Sequence, residues 1–390
     1  MTASSVVAGL LAQAGTQPGP RRIDLLLSRL DEPLIFALVL GILLGLFLLA
    51  IEVVTLVYVW IRSRNDRHRE RHRPAVRDGL FERLAADDPD WTGWIASLDE
   101  TERELLRDEV DSFLRKLDGT ERRHLRDAGR ALGIPSEAMA AVRDGTRHER
   151  LLGLKWLTVL DQPVETTFVR AHCQRDPTVR AAAARLLYET DHADAPRVGT
   201  ELLLSRPDRP MTSFGVDTLY RLHEGDPTAL FEYAADHVDE WSTTVTLQVL
   251  LVLREFAMLP ADAPTAWLLA LFDHESPDVR AATARAFVHY GWREDIREQV
   301  PRAELIADAA PTVRRAVCEM LGSWSDEAGI WELKSMAVSD PSSRVRVAAM
   351  RELTDRQALG PTDPRLPDAE IDTALQWVLA DRKIADGRKP

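Results

Sequence analysis

Cysteine is almost missing. The 390-residue chain has two, Cys173 and Cys318, far apart in sequence. That excludes a disulfide framework, fits a reducing compartment and leaves two buried apolar thiols as the reading. Catalytic signatures are missing as well. There is no His-Glu-x-x-His, no phosphate-binding P-loop and no Gly-x-Gly-x-x-Gly after a strand. Lysine is scarce beside arginine, a bias of a GC-rich genome rather than of a mechanism. An excess of positive charge is also lacking, since the net charge is −13. An acidic body is a poor match for a phosphate backbone, so no nucleic-acid partner is expected. The charge is uneven, however. Residues Arg62–Arg77 hold seven Arg against Asp66 and Glu70, about +5, and the chain beyond sums to roughly −17.

One long apolar run is present. Leu34–Trp60 carries a single ionisable group, Glu52. As a helix it reaches about 40 Å, enough to cross the roughly 30 Å hydrocarbon core with tilt. A signal peptide fits poorly: the run is too long, no small-residue cleavage site follows, and the charge lies on the far side. Arg21, Arg22 and Arg29 before the run are balanced by Asp24, Asp31 and Glu32. Arg62, Arg64, Arg67, Arg69, Arg71 and Arg73 follow it. The positive-inside rule then predicts an inner-membrane protein with one span, N-terminus outside and the remainder cytoplasmic. The six arginines either hold anionic headgroups or only set topology. Gly41, Gly45, Leu48, Glu52, Thr55 and Val59 fall within about 40° of one helical line. Gly41, Gly45, Glu52 and Thr55 are read as a face that packs on another membrane helix; the alternative is a passive anchor.

Behind the run, residues 62–90 read as a charged linker with a short helix near Gly79–Ala86. Residues 91–135 read as a helical pair that caps an array. Asp99 stands three before Glu102, at capping-box spacing. The stripe Leu106, Val110, Phe113, Leu114, Leu117 follows at helical period. Thr120 is placed to cap a second helix that stops at Gly133.

Residues 136–385 repeat. Val179-Arg180-Ala-Ala-Ala-Ala matches Val279-Arg280-Ala-Ala-Thr-Ala, Val313-Arg314-Arg-Ala-Val-Cys and Val345-Arg346-Val-Ala-Ala-Met, with the arginines 100, 34 and 32 residues apart. The gap of 100 holds two degenerate copies, at Thr212–Tyr220 and Thr244–Leu251. An earlier copy is Glu149–Leu157, giving about seven units between 136 and 355. Pro177, Pro277, Pro311 and Pro341 suit first turns of helices, and Asp176, Ser276 and Asp340 are possible N-caps. A terminal helix is expected at Ile371–Lys383.

The Asp-Pro-x-Val-Arg-x-Ala-Ala pattern at a period near 33 resembles HEAT repeats, in particular the HEAT-like kind of phycobilisome lyases. The resemblance implies an all-α superhelix, a solenoid of antiparallel helix pairs with the second helices on the concave side. It also implies Arg-to-Asp links between neighbouring repeats. Arg180, Arg280, Arg314 and Arg346 match the Arg, as a structural position. Asp308 and Asp340 match the Asp. Some HEAT-like proteins are enzymes; the metal hydroxylases among them repeat His-Glu dipeptides in register. Here His148-Glu149, His223-Glu224 and His274-Glu275 are out of register, so no metal or other cofactor is expected. The tryptophans, Trp91, Trp94, Trp156, Trp241, Trp267, Trp292, Trp324, Trp331 and Trp377 among them, read as core rather than an aromatic binding stripe. The whole reads as a membrane-anchored, non-catalytic scaffold. Its partner is a protein, possibly an integral membrane protein, with anionic lipid as a second contact and no small-molecule substrate. The alternative is an enzyme of the phycobilin-lyase or metal-hydroxylase type.

Overall fold

The computed structural model describes residues 32–256, 262–324, 326–356, 377–378 and 380–381. Inside the first helix the side chains of residues 32–39, 42 and 57–69 are outside the description. The segment 1–33, apart from its last two residues, and most of the terminal helix at 371–383 also lie outside it. The described chain is helical, with no strand among the described residues. It divides into two compact units: residues up to Asp90 with Ala96–Glu109, and Trp91–Ile95 with Val110 onward.

The first unit is built on one helix of 53 residues, α1 (Glu32–Leu84). Its N-terminal half bears the apolar run. Among the described residues no helix is long and apolar enough to cross a membrane. The described side chains of the run, at positions 40–41 and 43–56, are fewer than the roughly 20 a span takes. The C-terminal half differs from the sequence expectation. Residues 62–84 are not a linker: the helix runs through Pro74 to Leu84, where an isolated helix near Gly79–Ala86 was expected. Val76, Leu80 and Leu84 are buried, at an i, i+4, i+8 spacing that makes one stripe. Leu105 and Leu106 are buried in the same unit. Short polar contacts add to this. Arg73 Nε donates to the buried Glu109 at 2.8 Å, and His72 Nδ1 lies 3.2 Å from Glu102. The reciprocal Asp99–Glu102 box is formed, at 2.8 and 3.0 Å.

The second unit is a two-layer stack of helices. After α2 (Trp91–Ser97) and α3 (Glu100–Leu114), both shared between the units, come α4 (Gly119–Ala131) and α5 (Ile134–Asp144). Thr120 does not cap α4; Asp118 holds the N-cap position without a side-chain bond, and the Thr120 hydroxyl accepts from Arg123. One layer is then α6 (Arg147–Val159), α8 (Pro177–Glu189), α10 (Ser213–His223), α12 (Thr243–Arg254), α14 (Pro277–Ala286), α17 (Pro311–Trp324) and α19 (Ser343–Asp355). Each packs on the next in this order. The other layer holds α7 (Thr166–His172), α9 (Ala195–Leu204), α11 (Thr228–His237), α13 (Ala266–Ala270), α15 (Glu294–Gln299), α16 (Arg302–Ile306) and α18 (Glu327–Ser339). The seven segments aligned by sequence all fall in the first layer.

Local chemistry sets these starts. Asp176 accepts from the N–H groups of Thr178 and Val179, and Pro177 opens the helix. Thr212 and Ser242 cap the two degenerate copies, and Thr146 forms a full capping box with Glu149. Two expected caps differ. Ser276 holds the expected N-cap position but makes no side-chain cap bond; its own N–H donates to His274 Nδ1 at 3.0 Å. Asp340 is not an N-cap; Ser342 holds that position and Asp340 accepts its N–H at 2.7 Å. Small residues let the layers close. Ala181, Ala183 and Ala184 are fully buried, and a Cβ on Gly153 would lie 2.7 Å from the Ala138 carbonyl oxygen. Gly133, at φ 75°, takes the left-handed turn between α4 and α5.

Candidate interaction surfaces

The described side chains in the N-terminal half of α1, at positions 40–41 and 43–56, are all exposed. Leu43, Leu44, Phe47, Leu48, Val54 and Leu56 are each more than half exposed. A Cβ at Gly41 or Gly45 would meet nothing within 4 Å. Glu52 and Thr55 are exposed on the same helix, and the Thr55 hydroxyl returns its proton to the Ile51 carbonyl at 2.8 Å. So Gly41, Gly45, Glu52 and Thr55 share an open helix surface. Of the six arginines after the run, Arg71 is exposed, while Arg73 is bound to Glu109. The side chains of Arg62, Arg64, Arg67 and Arg69 lie outside the description.

In the second unit the aligned arginines act as ties. Each Nη1 donates to the carbonyl six residues earlier: Arg180 to Gln174, Arg280 to His274, Arg314 to Asp308 and Arg346 to Asp340, at 2.7–3.1 Å. Two of them also grip the next repeat. The Nε and Nη2 of Arg280 donate to the two oxygens of Asp308 at 2.7 and 3.0 Å. Arg314 holds Asp340 in the same way at 2.8 and 2.9 Å. Burial opposes ionisation of both carboxylates, yet the guanidinium and a backbone N–H outweigh it and hold both low.

A second ladder runs five residues further along each helix. Arg185 pairs with Asp217 at 2.8 Å, Arg285 with Glu319 at 3.0 Å and Arg351 with Asp381 at 2.7 Å. Sequence reasoning missed it. The signal was there: an Arg stands five residues after Arg180, Arg280 and Arg346.

The His-Glu pairs serve structure. Glu149 completes a cap, and His274 Nδ1 accepts the Ser276 N–H. His223 is fully buried; the Thr200 hydroxyl donates to Pro196 and so accepts from His223 Nε2, both at 2.6 Å. Burial lowers the His223 pKa to about 4. His72, Asp99 and Glu102 bring one ligand atom each within 4.8 Å of one another, but the two carboxylates are engaged in the capping box. Both cysteines are free and buried, and burial raises Cys173 to about 11. Such thiols are unreactive packing groups.

Trp91, Trp156, Trp241, Trp267 and Trp324 are buried, while Trp292, Trp331 and Trp377 are exposed. Trp324 shows why a ring fits between repeats. Its Nε1 donates to the Phe287 carbonyl at 2.8 Å, Gly291 faces its ring, and Arg302 lies over it at 5.0 Å. An open cleft of about 640 Å³ is lined by Met139, Pro163, Val164, Glu165, Phe168 and His192.

Residues 264–353 match the family model for HEAT repeats. These residues contain both bidentate Arg–Asp links, Arg280–Asp308 and Arg314–Asp340. Match and architecture together support a HEAT-repeat protein, a helical repeat scaffold of the kind used for protein interaction. No curated protein and no solved structure matches the chain.

Proposed function

We propose that this is a membrane-anchored HEAT-repeat scaffold that binds a protein partner at the cytoplasmic face and carries out no chemistry itself. The observation that carries the reading is the contrast along α1. Its C-terminal half is amphipathic and buries one stripe. Its N-terminal half is apolar all round, with every described side chain exposed. A helix apolar on all sides is stable only when lipid or protein surrounds it. The full run Leu34–Trp60 has the length of a span, and arginine follows it. Against an enzyme, His223 and both cysteines are buried packing groups and His274 serves a helix start. The open Gly41/Gly45 surface, with Glu52 and Thr55 beside it, is the place for a second membrane helix.

The test is co-purification in mild detergent. Wild type is expected to retain a stoichiometric integral membrane protein that Gly45→Ile and Glu52→Leu release. An unchanged partner profile in both variants removes the intramembrane face from the reading.

A further inference from the structure

Arg180 holds the same pose as Arg280 and Arg314 but lacks what they hold. In all three, Nη1 donates to the carbonyl six residues earlier. In the other two, the Nε–Nη2 edge grips both oxygens of an Asp from the next repeat. In Arg180 that edge is empty. Its bond to Gln174 is the only one it makes among the described residues, and its Nε is buried without a partner. The side chain is 2% exposed.

The cause is legible in the register. Asp308 and Asp340 each stand three residues before the helix that follows, α17 and α19. Three residues before α10 stands Pro210, which has no acid to offer. Asp208 is nearby but mostly exposed, turned toward Arg209 at 3.7 Å. Burial of Arg180 disfavours its charged form and Arg206 and Arg209 in the same exposed loop add to this, while the nearby Asp176 and Asp208 carboxylates act the other way without bonding the guanidinium. A buried guanidinium without its anion is costly, and its planar fork matches a carboxylate in two parallel bonds.

We propose that the Nε–Nη2 edge of Arg180, beneath the loop 205–211, is a receptor for an external carboxylate, presented by an Asp or Glu of a protein partner that completes the ladder in trans. Only the source of the carboxylate rests on the scaffold reading; the receptor itself does not.

The test is NMR of the full chain in detergent, labelled with ¹⁵N-arginine. The Arg280 and Arg314 Nε–H signals serve as references for an edge that holds a carboxylate. Three probes are compared at equal ionic strength: sodium acetate, inorganic phosphate, and a blocked Gly-Asp-Gly peptide. Acetate and peptide are expected to move the Arg180 signal toward the two references. In Pro210→Asp, which supplies the acid in cis, the signal is expected to start there and respond to neither probe. A response to acetate alone overturns the protein source but keeps the receptor. A response to phosphate alone overturns the carboxylate assignment. If the wild-type signal already sits with the references and leaves them in Asp208→Asn, the chain fills its own edge and the proposal fails. It also fails if no probe moves the wild-type signal.

Discussion

At the scale of single residues, the array is held by charges that are buried and matched. The side chains of Arg314 and Asp340 are 8% and 4% exposed. Removing one partner of such a pair strands a buried charge, which costs about 3–5 kcal/mol, whereas replacing both with apolar groups is near neutral. Asp340→Ala is therefore expected to lose about that much, and Arg314→Met with Asp340→Leu much less. Urea unfolding of the two variants measures it. His223 gives a pH signature. Its folded pKa, about 4, lies below the ordinary 6.5, because burial disfavours the imidazolium. The unfolded chain therefore takes up the proton first. The stabilisation is whole above about pH 6.5 and is lost as pH falls toward 4, up to about 3 kcal/mol. Thermal melts from pH 7 to 4 are expected to show this slope in wild type and less of it in His223→Gln.

At the scale of elements, the sequence was most legible where one residue type does one local job. The Asp99–Glu102 box, the Asp176 cap with Pro177, and the Gly133 stop all involve neighbours within one turn, and spacing alone exposes them. Ser276 stands at its N-cap without a side-chain bond, and Asp340 was misplaced because the helix starts two residues later than Pro341 suggests, with Ser342 at the N-cap. The segment after the apolar run was misread for another reason. Charge dominates Arg62–Arg77, and the three-residue stripe Val76, Leu80, Leu84 begins only at its end. Truncating Leu80, which is fully buried, is expected to free this end of α1 at a cost of about 2–5 kcal/mol. Hydrogen exchange should then rise in residues 71–84 and stay unchanged in α17 and α19. Equal protection throughout would mean that the stripe does not hold the helix. Of the candidate sites, the arginines of the array and two of their acids, Asp308 and Asp340, were legible, but the partners of the second ladder were not. Which acid meets which arginine depends on the stacking of consecutive repeats, and the Arg185, Arg285 and Arg351 links lie one turn beyond the motif.

At the scale of the molecule, the proposal joins two parts with different surroundings: an array built on an apolar core, and a helix whose N-terminal half leaves its described apolar side chains exposed. In this proposal the array is the recognition surface and the apolar half of α1 the anchor. The most direct measurement is carbonate extraction of membranes that carry the full chain. The wild type is expected to stay in the pellet, and a Leu44→Arg, Leu48→Arg double variant to lose membrane retention, since each arginine at the centre of a span costs about 2.5–3.5 kcal/mol. Release of the wild-type chain into the supernatant would contradict the anchor, and the bare half of α1 would then have to be covered by protein.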